Sequence, residues 1–246
     1  MSLRDEFHRS GNWLFRHRGW LPVAMVGLFA LAMRGFQYPL HSHALDEAWE
    51  AFCLFISCSG LVLRCLVVGY APCGTSGRNT RGQVASRLNT TGAYSVVRHP
   101  LYLGNFLMWL GISLFPRVSW VVAIYCLAFL LYYERIMYAE EEYLRRRFGP
   151  QFLAWSRLTP ALLPRFRNYR APDLPFSLRN VLRREYNGLM AMVLVYFMLE
   201  EIGERLVLGH FVFDLPWVLL AGVTCVSWLL LRTLKRHSRI LHVDGR

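Results

Sequence analysis

Six apolar runs leave this chain few ways to fold. A spanning helix needs about 20 predominantly apolar residues. Trp20–Pro39 and Trp49–Ala71 reach that length, the first with Arg34 near its far end and the second with Arg64 inside it. Leu101–Phe115 is shorter, meets a tight Pro116–Arg117 turn and returns as Val118–Tyr138, so this pair reads as a helical hairpin. Gly188–Gly209 is interrupted by Glu200, Glu201, Glu204 and Arg205, and Phe213–Leu234 is the last run. With 54% hydrophobic residues and a mean hydropathy of +0.27, the chain reads as all-α. The expected architecture is a polytopic helical membrane protein of about six transmembrane helices.

Charge orients the runs, because cytoplasmic loops retain Lys and Arg. Arg4, Arg9, Arg16 and Arg18 precede the first run, whereas residues 40–48 carry Asp46 and Glu47 and no Lys or Arg. Ten arginines fall between Arg145 and Arg184, and Lys235, Arg236 and Arg239 follow the last run. Both termini and both large loops are therefore expected in the cytoplasm. The net charge of +12 is almost entirely arginine, Lys235 being the single lysine. These arginines flank apolar runs and form no continuous soluble face, so anionic headgroups are the expected partner and nucleic acid is not. Met1–Arg18 is polar and no small-residue cleavage site follows the first run, so no signal peptide is expected. Six cysteines stand mostly inside apolar runs without a Cys-x-x-Cys pair, which predicts small buried hydrophobes rather than zinc ligands or disulfides.

The loops carry the chemistry. Asn89–Asn105 places Arg98 and His99 directly before Pro100 and then runs into apolar sequence. Proline removes a donor and turns the preceding residue away from helical angles, and irregular backbone at a membrane entrance persists only where protein or a polar ligand satisfies it. Upstream, Pro72–Thr80 offers small residues and Arg78, a possible anion cradle or a plain linker, without the Gly-Lys-Ser/Thr ending of a P-loop. Downstream, Leu144, Phe148, Phe152 and Trp155 recur at helical spacing opposite Arg145, Arg146 and Arg147. That stretch suits the membrane–water interface, with a bend at Gly149-Pro150. Because both ends of the hairpin lie at one surface, Arg98, His99 and Tyr102 are expected to meet Glu140 and Glu141. They form a set of cation, rings and carboxylates that matches the groups of S-adenosylmethionine.

These motifs resemble the isoprenylcysteine carboxyl methyltransferase and phospholipid methyltransferase family. The carriers are Gly92, Tyr94, Arg98, His99, Pro100, Tyr102 and Gly104, then Glu140, Glu141, Leu144, Phe148 and Gly149, with Phe152 in place of the pattern's last tyrosine. The match covers roughly residues 75–160. It implies S-adenosylmethionine as cofactor in a cytosolic pocket open sideways to lipid. The candidate cofactor-binding residues are Tyr94, Arg98, His99, Pro100, Tyr102, Gly104, Glu140 and Glu141; the candidate catalytic residues are Arg98, Glu141 and Arg78; no metal is expected. Three regions follow: 1–71 with the first two spans, 72–160 as the methyltransferase core, and 161–246 with the arginine-rich loop and two further spans.

Family members methylate prenylcysteine carboxylates, phosphatidylethanolamine amines or, in some bacteria, a phosphate of lipid A. Gly74–Thr80 and the long arginine-rich segment resemble the last group, which implies an acidic membrane lipid as partner and the bacterial inner membrane as location. Phospholipid amine N-methylation and an NADPH-dependent sterol-type reductase are the rival enzymes, and a transporter or lipid-binding scaffold the rival without chemistry. No internal repeat of the kind transporters show is present. The charge asymmetry yields a direct test of orientation. External cysteine labelling should reach a probe at Ser42 and miss one at Ser76, and the opposite pattern would invert the topology.

Overall fold

A computed structural model describes residues 2–72, 74–75, 83–211, 213–243 and 245. Arg78, like Cys73 and the labelling position Ser76, lies outside the described residues. The described residues are mainly helical, with a single isolated backbone bridge between Gly92 and Arg170. Its α-helices are α1 (Leu3–Arg16), α2 (Trp20–Ala32), α3 (His43–Tyr70), α4 (Ala93–Val96), α5 (Pro100–Leu114), α6 (Ser119–Leu158), α7 (Leu178–Leu208) and α8 (Leu215–His237). Three of them, α3, α6 and α8, are long and apolar enough to cross a membrane; α5 and the run Trp20–Gly35 are apolar but shorter.

Helix boundaries depart from the apolar runs where polar side chains find tertiary partners. The run expected to 39 stops being α-helical at Ala32 and passes through short 3-10 turns at Met33–Gly35 and Pro39–His41. The next helix begins six residues early, at His43, because the Ser42 side chain accepts from the Leu45 amide at its start. Its first turns carry Asp46 and Glu50, and both are buried. Arg117 at the tip of the hairpin binds Asp46, and the Trp217 indole donates to Glu50 at 3.0 Å. Similarly α7 starts at Leu178, ten residues before the apolar run, capped by Ser177. Its polar first turns are thereby brought into the protein. Helix α6 runs through the expected interfacial stretch and bends at Gly149, whose φ of 49° is favourable for glycine, just before Pro150.

The core is a glycine-lined crossing of α3 and α5. A Cβ added at Gly60 would stand 2.5 Å from the Gly104 carbonyl oxygen, and one at Gly111 would stand 2.3 Å from the Cys53 oxygen. Small residues let two backbones approach this closely, the usual route to tight helix packing in membranes. The Ser57 hydroxyl, buried between them, donates to the Met108 carbonyl at 2.6 Å. Around this seam stack Phe106, Tyr125, Phe129 and Tyr133, with the Phe129 and Tyr133 rings 4.1 Å apart.

At the hairpin-tip end, Glu200, Glu201 and Glu204 are buried beside Asp46 and Glu50. Glu204 does not pair with the neighbouring Arg205. Glu204 accepts from the Tyr38 hydroxyl at 2.6 Å, and Arg205 lies over the Phe211 ring. His43 faces Tyr38 and comes within 3.9 Å of Glu204.

Replacing Gly111 by Val forces a side chain into backbone, and overpacking of this kind typically costs about 1–3 kcal/mol. Gly111→Val should lower the thermal midpoint of the detergent-solubilised protein by several degrees, whereas Gly222→Ala, where a Cβ meets nothing, should not move it.

Candidate functional site

The irregular backbone at Arg98-His99-Pro100 is satisfied by the chain itself. Pro100 occupies the first turn of α5, where its missing N–H costs no helical bond, and His99 precedes it with non-helical angles. The Arg98 amide donates to the Pro160 carbonyl at 2.8 Å and the His99 amide to that of Ala161 at 3.3 Å. The same returning strand of chain is tied at Arg165, whose amide donates to Val96 at 3.0 Å, and at Arg170, whose carbonyl accepts from Gly92 at 2.9 Å. Gly92 adopts φ 59°, which favours glycine. Trp155, past the bend in α6, donates its indole N–H to the Tyr94 carbonyl at 3.0 Å.

These contacts wall a cavity of about 350 Å³. Tyr94, Arg98, His99, Pro100, Tyr102 and Glu140 all line it, together with Arg64, Asn105, Tyr133, Trp155 and Glu185. His99 is nearly fully buried and stacks on Tyr102, ring centroids 5.5 Å apart. Its Nε2 lies 2.8 Å from Glu141 Oε1, and because an ionised carboxylate only accepts, Nε2 carries the proton there. The Tyr102 hydroxyl donates to Glu140 Oε2 at 2.8 Å. Arg98 Nε stands 3.2 Å from Glu141 yet, among the described residues, makes no hydrogen bond although buried. Burial, reinforced by the charge of Glu140, holds the Tyr94 phenol above its ordinary pKa, so it is a neutral hydrogen-bonding group at physiological pH.

The three consecutive glutamates separate by role. Glu140 and Glu141 face α5, while Glu142 takes Arg4 at 2.6 Å, Arg146 at 3.0 Å and Arg145 at 3.3 Å. Of the two local i,i+4 pairs the sequence allows, Glu142 with Arg146 forms, whereas helical pitch turns Glu141 away from Arg145 to His99. Gly104 needs a different explanation from the one expected. It does not line the cavity; it lies in the α3–α5 crossing, where an added Cβ would meet Arg64 Cγ at 2.5 Å. Glu141 also stands outside the lining and reaches it through His99 and Arg98. The guanidinium groups of Arg165, Arg167 and Arg170 do not line the cavity either, since that segment is used for its backbone.

Further lining residues lie outside the two motifs. Arg64 grips Glu185 with two contacts, Nε to Oε2 at 2.8 Å and an Nη to Oε1 at 3.0 Å, and its other Nη donates to Asn105 Oδ1 at 2.5 Å. Asn105 in turn donates to the Tyr133 hydroxyl at 3.2 Å. An arginine inside an apolar run is visible in the sequence; its partner, 121 residues away in an arginine-rich stretch, is not. Among the described residues no group of three or more His, Cys, Asp or Glu side chains is placed to hold a metal ion.

Residues 57–151, which run from the middle of α3 through the hairpin to the α6 bend, match the phospholipid methyltransferase family. The chain thus belongs to the isoprenylcysteine and phospholipid methyltransferase family of membrane proteins. It is similar to the nickel-cobalt-cadmium resistance protein NccN of Alcaligenes xylosoxydans xylosoxydans, at 33% identity over 65% of this chain and 70% of that protein. It is also similar to the cobalt-zinc-cadmium resistance protein CzcN of Cupriavidus metallidurans, at 34% identity over 65% of this chain and 69% of that protein. No solved structure matches the chain.

Removing Arg64 strands a buried carboxylate, which typically costs about 3–5 kcal/mol, more than the intact pair contributes. Arg64→Ala should therefore lower the thermal midpoint sharply, and adding Glu185→Gln should restore part of the loss. Strictly additive effects in this double-mutant cycle would deny the coupling.

Proposed function

We propose that the protein is an integral-membrane methyltransferase that uses S-adenosylmethionine to methylate an ionised oxygen of an acidic lipid at the cytoplasmic leaflet. A lipid phosphate, of the kind lipid A carries, stands ahead of a carboxylate. Both termini lie in the cytoplasm in this reading, with the shorter helices α2 and α5 and the polar-ended α7 completing six spans. The observation that carries the proposal is the joining of two separated motifs of the family-matched segment, His99 to Glu141 and Tyr102 to Glu140, at a cavity that His99, Tyr102 and Glu140 line.

The donor set fits the cofactor. The cavity volume falls within the range of small-molecule pockets. The Glu140 carboxylate suits its ammonium group, the buried Arg98 Nε offers an unused donor for its carboxylate, the His99, Tyr102 and Trp155 rings suit its adenine, and Glu141 acts from behind by holding His99 and Arg98. When bound, the cofactor supplies an electrophilic methyl group on a sulfonium. The chain's own task is placement, since aligning nucleophile and methyl removes much of the barrier to an in-line displacement. His99, held by Glu141 and stacked on Tyr102, cannot swing, and that rigidity fixes the wall against which the reactants lie. An ionised oxygen needs no general base, which suits a cavity whose carboxylates already accept hydrogen bonds from Tyr102, His99 or Arg64. The candidate Arg78, outside the described residues, belongs to this reading as a cation beside the acceptor.

The relatives are named for resistance to nickel, cobalt, zinc and cadmium. Esterifying a lipid phosphate removes a negative charge from the membrane surface, and a less negative surface attracts divalent cations less strongly. That charge change is the physical link between a lipid methyltransferase and such names.

Isothermal titration with S-adenosylhomocysteine tests the cofactor assignment. Arg98→Ala and Glu141→Ala should lose detectable binding while the protein remains folded, and Glu142→Gln should bind as the unaltered chain does. Unchanged affinity in both alanine variants removes these residues from the site. Stabilisation against heat by NADPH instead would favour the reductase. Radiolabelled methyl transfer to extracted lipids, followed by mild hydrolysis, locates the product, and label on an amine nitrogen would move the protein to the phosphatidylethanolamine branch.

A further inference from the structure

The cavity is not closed by the family-matched segment alone. Outside that segment Trp155, Arg184 and Glu185 also line it, and a further part of the wall comes from the corner between α1 and α2, where Phe15, Arg18, Gly19 and Pro22 reach the lining. This corner is held firmly. Ser2 and Asp5 cap α1 reciprocally, and Arg4 binds Glu142 at 2.6 Å. The Tyr132 hydroxyl donates to the Leu14 carbonyl at 3.0 Å. Gly11 lies so close to α6 that a Cβ would stand 2.1 Å from the Arg135 carbonyl oxygen. An amphipathic helix fixed this way sets its end in a defined place, and the turn that follows carries Arg18.

Arg18 differs from the arginines around it. Arg64 is held by Glu185, Arg87 by Asp173 at 2.8 Å, and Arg98 lies beside Glu141. Arg18 makes no ion pair among the described residues; its guanidinium rests over the buried Phe15 ring, 4.3 Å from the centroid. Stacking of this kind positions the planar group while leaving its N–H edges available. Just beyond it Trp20 and Val23 are 72% and 66% exposed, and Trp13 on α1 is 59% exposed. Exposed aromatic and aliphatic side chains beside a cation mark the level where acyl chains give way to headgroups. A cation that faces the cavity on one side and this apolar rim on the other is suited to an anion on a lipid.

We infer that Arg18 is a specificity-determining residue that binds the oxyanion of the lipid acceptor, and that the α1–α2 corner is where the acceptor enters. The inference rests on the methyltransferase reading and names the acceptor side of the same cavity. Nothing reacts at Arg18: the guanidinium holds oxygens of the anion through N–H donors, and the acyl chains lie along Trp20 and Val23. Its effect therefore falls on acceptor binding and leaves the cofactor end alone.

The test uses the full chain in detergent micelles. Binding of phosphatidic acid, a phosphomonoester lipid, is titrated without cofactor, beside soluble glycerol 3-phosphate and phosphatidylcholine. S-adenosylhomocysteine affinity is measured separately, and labelled methyl transfer to an acidic lipid extract gives kcat and KM. Arg18→Ala should weaken phosphatidic acid at least tenfold and raise KM by a similar factor. Its kcat and S-adenosylhomocysteine affinity should stay within about twofold, and Arg18→Lys should recover much of the loss. Unchanged phosphatidic acid affinity in Arg18→Ala overturns the assignment, and so does an equal loss for phosphatidylcholine, which would mark a general membrane contact. Glycerol 3-phosphate binding as tightly as phosphatidic acid would overturn the lipid part and leave a site for free phosphate. Failure of the unaltered chain to bind S-adenosylhomocysteine would instead be a failure of the methyltransferase reading, distinguishable because the phosphatidic acid arm contains no cofactor.

Discussion

Two backbone hydrogen bonds, from the Arg98 and His99 amides to the Pro160 and Ala161 carbonyls, underlie the site. The proline that starts α5 forces the preceding residues out of helical angles, and N–H groups freed in that way are costly to leave unpaired in an apolar setting. The returning segment after α6 supplies the acceptors. Because that segment is anchored again at Val96 and Gly92, the link fixes α4, the start of α5 and the end of α6 relative to one another. His99 and Tyr102 can then meet Glu141 and Glu140 at hydrogen-bond distance.

The second requirement is closeness of α3 to α5. Glycines at 60, 104 and 111 bring the two backbones together, and this places Arg64 of α3 against the first turns of α5. There it reaches Asn105 and, across the cavity, Glu185 of α7. Packing and electrostatics are thus one device, since a bulkier residue at 104 would displace the Arg64 stem as well as press on the Gly60 carbonyl. A bidentate arginine–carboxylate pair also ties α7, which lies outside the matched family segment, to the part of the chain that lies within it.

The polar groups sort to two ends of the bundle. At one, arginines, ring systems and two glutamates enclose the cavity. At the other, Asp46, Glu50, Glu200, Glu201 and Glu204 are buried around the hairpin tip, where Arg117 and Tyr38 reach some of them. A buried carboxylate persists only where partners or protonation offset its lost hydration. That requirement explains why α3 and α7 extend well past their apolar runs into polar sequence at one end each.

By itself the sequence determined the class of fold, because runs of apolar residues near the length of a bilayer admit a helical membrane protein. It also carried the motif pairing of Arg98-His99-Pro100 with Glu140-Glu141, since proline chemistry and the hairpin's symmetry are local facts, and it placed the bend at Gly149-Pro150. Helix ends were beyond it: the apolar pattern says nothing of Asp46 finding Arg117, or of Ser177 capping a helix ten residues before hydrophobicity begins. Tertiary structure alone separated Glu141 from Glu142, because one residue of helical pitch, about 100°, decides which carboxylate faces His99 and which faces Arg4. It likewise moved Gly104 from binding to packing and brought Arg18, Arg64 and Glu185 to the cavity wall. Arg18 in the α1–α2 turn, Arg64 on α3 and Glu185 on α7 are far apart along the chain, so only the folded arrangement puts them beside one pocket.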